Sequence, residues 1–188
     1  MKIIHLEFKD QDYKDELLSH LRGQIFHITT IKTFDDIKKT NFIFHNKDSK
    51  FSINTGSLKS FGRKRGYVCL FDLREKEETV IQEALDKYYF LGPNWFAEYH
   101  EDYYEFNLAY LIMNSRFYNK IVPTVEAKKI CRESRNYEQY IPEAECWYPD
   151  DMPINSINRT LLVKIWKSAP PKESPAYAFH KLILEDKR

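Results

Sequence analysis

The chain of 188 residues is 43% apolar and 15% aromatic, which excludes a disordered polypeptide; a globule of this length buries roughly 70% of its unfolded surface. Lys and Arg (29) nearly balance Asp and Glu (28), so the whole molecule is no general polyanion binder, and nucleic-acid contact needs a local patch. The segment MKIIHLEFKDQD turns acidic too soon for a secretory signal, and no apolar run approaches the ~18 residues of a membrane span. Cys69, Cys131 and Cys146 are widely spaced without C-x-x-C, so reduced thiols in a soluble, cytoplasmic protein with no membrane partner are expected.

Residues 3–7 (IIHLE) predict a strand or short lead-in, followed by a polar helix around 11–22. GQIFHIT, from Gly23, has the β-favouring apolar run of a buried strand. Thr33-Phe-Asp-Asp36 is a capping pattern in which Thr33 caps the amide of Asp36; Ile37 packs inward and the helix fails near Asn41. Residues 51–73 read as loop and strand, punctuated by Gly56, Gly62 and Gly66, with YVCLFDL the clearest strand. From Glu75, the spacing of Val80, Ile81, Ala84, Leu85 and Tyr88 predicts a helix with an acidic first turn. A second helix is expected over about 101–119, with Tyr104, Leu108, Leu111 and Ile112 on one face. Its aromatic surroundings, from Tyr88 through Tyr89 and Trp95 to Tyr118, can stack bases, but core packing explains most of them more cheaply. Residues 142–148 and 160–166 return to strand, joined by the turn PDDMP and a helical turn at INSI. SAPPKESP, from Ser168, reads as a linker to a short amphipathic segment. The irregular order of elements predicts an α+β fold rather than a doubly wound sheet.

Three constellations carry chemistry. In FHITT, an extended backbone turns His27 and Thr29 to one side and Phe26 and Ile28 to the other. Such a histidine is a ligand-binding group or a satisfied structural one. In SLKSFGRKRGY, Lys59, Arg63, Lys64 and Arg65 concentrate positive charge on a glycine-bearing loop, which suits a diphosphate, a nucleic-acid backbone or plain solvent. The loop has neither Walker spacing nor G-x-G-x-x-G. In PEAECWY, an extended backbone would bring Glu143, Glu145 and Trp147 to one face, where two carboxylates can divide labour between a developing sugar cation and an acceptor. His100-Glu101-Asp102 lacks H-E-x-x-H spacing and no Cys/His set has zinc spacing, so no metal is expected.

In order, FHITT with TFDDIKKTNFI, then FGRKRGYVCLFDL, then PEAECWYPDDMPINSINRTLLVKI resemble the ADP-ribosyltransferase-fold family, closest in style to the DarT-type enzymes that modify nucleic acid. The resemblance covers about 25–73 and 141–166, with a glycine of many relatives replaced by Ile28. It implies a split β-sheet core with helices inserted between the second and late strands. Residues 1–167 would form a single catalytic domain, and 168–188 a proline-containing linker with a short C-terminal segment. The implied activity is NAD-dependent transfer of ADP-ribose to DNA, RNA or protein, in a toxin-like defence effector that a neutralising antitoxin would restrain. By the same resemblance His27 holds a ribose hydroxyl, and the backbone near Ile28, with Thr29 beside it, holds the nicotinamide amide. Arg63 or Arg65 meets the diphosphate or orders its loop, and Tyr67 is the candidate for the family's second-strand tyrosine or serine. Glu145 is the catalytic carboxylate and Glu143 faces the acceptor. The rivals are an NAD-using RNA 2′-phosphotransferase, a class with more basic residues around its site, and a non-catalytic nucleic-acid or partner-binding module on the same fold.

Overall fold

The computed structural model describes residues 1–9, 13–53, 55–88, 90–91, 96–133 and 139–186. The expected helix start at 11–12, and Tyr89 and Trp95 of the aromatic region, lie outside the described residues. The fold is α+β, built on a seven-stranded mixed sheet whose main path runs β1-β9-β6-β2-β4-β7, with β5 pairing β6. The strands are β1 (Lys2–Lys9), β2 (Ile25–Thr30), β3 (Phe42–Ile43), β4 (Tyr67–Asp72), β5 (Glu98–Tyr99), β6 (Tyr103–Met113), β7 (Glu145–Pro149), β8 (Met152–Pro153) and β9 (Ile157–Ser168). The helices are α1 (Lys14–Leu21), α2 (Ile31–Thr40), α3 (Thr55–Leu58), α4 (Phe61–Lys64), α5 (Glu78–Tyr88), α6 (Thr124–Glu133) and α7 (Pro175–Asp186). β1 lies parallel to β9, the other pairs of the sheet are antiparallel, and β3 and β8 form a separate two-stranded ribbon.

The expected second helix is the central strand β6 instead, followed by a 3₁₀ turn over Ser115–Lys120. β6 is paired on both edges, by β9 and β2, and its two faces enter different cores. Phe106, Leu108, Tyr110 and Ile112 join α1 and α5, whereas Ala109, Leu111 and Met113 pack with Phe34 and Ile37 of α2. A strand buried on both faces loses its alternation of polarity, and a continuous apolar run is then read as easily for a helix.

Three boundaries move for local reasons. α2 begins directly after β2, with Thr30 as its cap accepting from the Thr33 amide, so Thr33 lies inside the helix rather than before it. Asn41 ends it in the left-handed conformation, at φ 62°, where asparagine is tolerated. α5 starts at Glu78 because Glu75, at φ 50°, is not helical. The strand expected from 142 starts at Glu145, since Glu143 sits in a turn at φ 66°. The turn at INSI is present as a 3₁₀ turn, Ile154–Ser156. After Ser168, the tail ends in α7, which anchors to the sheet by His180: 2% exposed, its Nε2 donates to the His100 carbonyl at 2.7 Å.

Among the described residues no helix is long and apolar enough to cross a membrane.

Candidate functional site

The site is set by where two strands part. β2 and β4 pair only at Ile25–Asp72 and Phe26–Phe71. Beyond that point β2 stays on β6 and β4 stays on β7, so the sheet is split between residues 27–30 and 67–70. The His27 ring spans the gap: its Nδ1 lies 2.8 Å from the Cys69 carbonyl. A carbonyl only accepts, so the proton is on Nδ1 and the neutral ring keeps Nε2 as an acceptor. Burial holds the imidazole pKa below its usual value, partly opposed by that hydrogen bond, which favours the neutral form.

A cavity of about 360 Å³ opens at the split. His27, Ile28 and Thr29 line it from β2, Tyr67, Val68 and Cys69 from β4, and Arg63 from the basic loop. Its walls come from both faces of the sheet, because Ile37, Ile43 and Val68 belong to the core under α2 whereas Tyr67 and Cys69 pack with Trp147 on the other side. Phe44 and Phe51, stacked at 4.9 Å, are partly exposed at the same cavity. The short run FIFHN, with aromatics alternating outside a strand of useful length, is a local signal for Phe44; Phe51 carries none.

Glu145 lies behind Cys69 rather than in the cavity wall. It is 5% exposed, and its carboxylate accepts from Trp147 Nε1 at 2.7 Å and from the Ile141 amide at 2.9 Å. The Cys69 thiol is a third hydrogen-bonding partner. Burial pushes the Glu145 pKa up to about 7, against the pull of these donors. Burial, and then the negative charge of Glu145, hold the Cys69 thiol well above its ordinary pKa, which disfavours the thiolate. His27 and Glu145 thus touch one residue, Cys69, through its carbonyl and its thiol respectively.

Trp147 is fully buried between Phe61 and Tyr67, stacked at 5.5 and 5.2 Å, with Tyr140 edge-on. This sandwich aims the indole N–H at Glu145. Gly62 makes room for it: a Cβ there would stand 2.7 Å from Trp147 Nε1 and 2.8 Å from Cys69 Sγ. The indole is wedged between two rings, and in this conformation the thiol is held against Glu145. Gly62→Ala is therefore expected to cost about 1–3 kcal/mol by overpacking, read as a lowered melting temperature. A melt unchanged from wild type would mean that the indole and thiol yield freely.

One site expectation changes, and for Arg63 the hydrogen bonds fit the loop-ordering alternative. Glu143 does not share a face with Glu145: its turn carries it to an ion pair with Lys128, beside a separate surface recess that Lys76 and Arg132 also line. Arg63 has its guanidinium spent on the loop, donating to the carbonyls of Ser57 at 2.8 Å, Asn46 at 2.9 Å and Leu58 at 3.2 Å. Arg65 stacks its guanidinium 3.5 Å from the Phe61 ring centre. Arg63→Ala should therefore destabilise the loop by about 1–2 kcal/mol as three carbonyls lose a charged donor. Thermal melting together with proteolysis of residues 46–60 checks this; an unaltered digestion pattern would return Arg63 to ligand binding.

Compared with known proteins, the chain matches no family model, no curated protein and no solved structure.

Proposed function

We propose that the protein is an NAD-dependent ADP-ribosyltransferase working at the split between β2 and β4. The observation that carries this reading is the split itself, with an imidazole held across it and a buried carboxylate one side chain behind the cavity wall. The cavity falls within the volume range of small-ligand sites. In the proposed reaction the bond between nicotinamide and ribose breaks, nicotinamide leaves with the bonding pair, and the ribose develops oxocarbenium character. Glu145, ionised, stabilises that cation, and the acceptor then attacks the same carbon. His27 Nε2 accepts from a ribose hydroxyl, and Ile28 and Thr29 supply backbone groups to the amide of nicotinamide. Tyr67 offers an aromatic wall. For Glu145 to reach the ribose, the Cys69 side chain must turn aside. The acceptor is a nucleic acid or a protein, and a neutralising partner belongs to the same proposal.

A second reading, a non-catalytic binding module, is favoured by one specific feature: Glu145 is fully hydrogen-bonded and screened from the cavity by Cys69. Incubation with labelled NAD and separate DNA, RNA and protein pools distinguishes the two. Label retained in one pool, with nicotinamide released, supports the transferase. Intact NAD in every pool leaves the binding module.

A further inference from the structure

A second cluster lies on the hairpin of β5 and β6. Glu98 and Glu105 are direct cross-strand partners, and His100 follows Glu98 by two residues, which returns it to the same face of the ribbon. The hairpin closes through the His100 amide, which donates to the Tyr103 carbonyl at 2.8 Å. One ligating atom from each of Glu98, His100 and Glu105 lies within 4.8 Å of the others. Two like charges opposed across a ladder destabilise it, so the pair needs a compensating cation. Lys164 supplies part of that, with Nζ 3.6 Å from Glu105 Oε2.

The histidine is held as a ligand would be. Its ring stacks on Tyr103 at 4.3 Å, and Tyr103 stacks in turn on Trp166 at 4.7 Å. Its carbonyl is fixed by His180. The His100 side chain is 41% exposed, yet its Nε2 atom is shielded from solvent, has no hydrogen-bond partner among the described residues and stands 4.0 Å from Glu105 Oε1. Glu105 Oε1 is oriented from behind by Asn107 Nδ2 at 3.0 Å, the kind of outer contact that fixes a metal-ligating carboxylate. An unpaired Nε2 beside Glu105, with Glu98 in the same cluster, makes a set of three lone-pair donors that one cation would satisfy.

We propose that Glu98, His100 and Glu105 bind one divalent transition-metal ion of the zinc class. One imidazole with two carboxylates suits zinc better than calcium or magnesium, which prefer all-oxygen sets. Ligands at roughly 2.0–2.2 Å from the ion need the three atoms to draw closer by about an ångström. Glu98, which is exposed, has the freedom to make that movement. The spacing of 98, 100 and 105 fits no linear zinc motif; the hairpin register brings the three together.

The test is calorimetric titration of the chelator-stripped full chain with zinc chloride, repeated with cobalt(II) to read the coordination spectrum. Wild type should bind one ion per chain. Glu98→Gln and His100→Phe, which keeps the stacked ring, should each weaken binding at least about tenfold. Glu98→Gln carries a second readout that misfolding cannot imitate. Without metal it relieves the charge repulsion and should melt above wild type; with saturating zinc it should melt below. Absence of stoichiometric binding by wild type, or wild-type affinity in either variant, overturns the site.

Discussion

Glu145→Gln is expected to slow nicotinamide release from NAD roughly a hundredfold while barely changing NAD affinity. The substitution keeps the shape but removes the negative charge and one of the two acceptor oxygens, so either Trp147 Nε1 or the Ile141 amide then faces an NH2 group instead of an oxygen. A charge that meets the sugar only as it becomes cationic acts on the transition state and not on the bound ground state, so the loss falls on kcat. Removing one such stabiliser costs about 3 kcal/mol, which is the hundredfold. Because burial raises the Glu145 pKa to about 7, the wild-type rate should climb as pH rises through that value, where the carboxylate forms. Glu143→Gln is the control: paired with Lys128 away from the cavity, it should leave both nicotinamide release and acceptor labelling intact. Wild-type nicotinamide release by Glu145→Gln would end the assignment of Glu145.

The second large effect is on stability. Glu145 titrates near 4.5 when exposed and near 7 in the fold. Between these pH values the folded chain holds a proton that the unfolded chain has lost, so stability falls as pH rises across the window. The contribution is fully present below pH 4.5 and gone above about 7, a loss of about 3 kcal/mol. His27 works in the opposite direction, since its folded pKa is lowered and its neutral form is favoured by rising pH. The comparison that isolates Glu145 is therefore urea unfolding of wild type and Glu145→Gln at matched pH from 4 to 8. The wild type should lose its advantage over the variant as pH rises. A difference independent of pH would mean that the carboxylate is not desolvated in the fold.

Much of the local architecture was legible because its signals are local. The apolar run after Gly23, the asparagine that can end a helix, the strand YVCLFDL and the turn at INSI depend on backbone preferences and short-range periodicity, and the structure has each of them. The α+β class followed from their irregular order. Pairing decided what those signals could not. The apolar run of β6 suits a helix as well as a strand because it meets a core on both faces, and only its hydrogen bonds to β2 and β9 make it a strand. The two neighbouring glutamates were separated by one left-handed residue, Glu143, whose turn no periodicity reports. Arg63 is a basic residue in sequence, but the carbonyls of Ser57 and Leu58 in its own loop and of Asn46 upstream claim it once the chain folds. His27 and Glu145 stand far apart along the chain, and the ladders of β2, β4 and β7 bring both to Cys69. Sequence alone determined which residues had chemistry to offer; which of them meet was decided by strand register, a property of hydrogen bonds between segments and of the cores that they enclose.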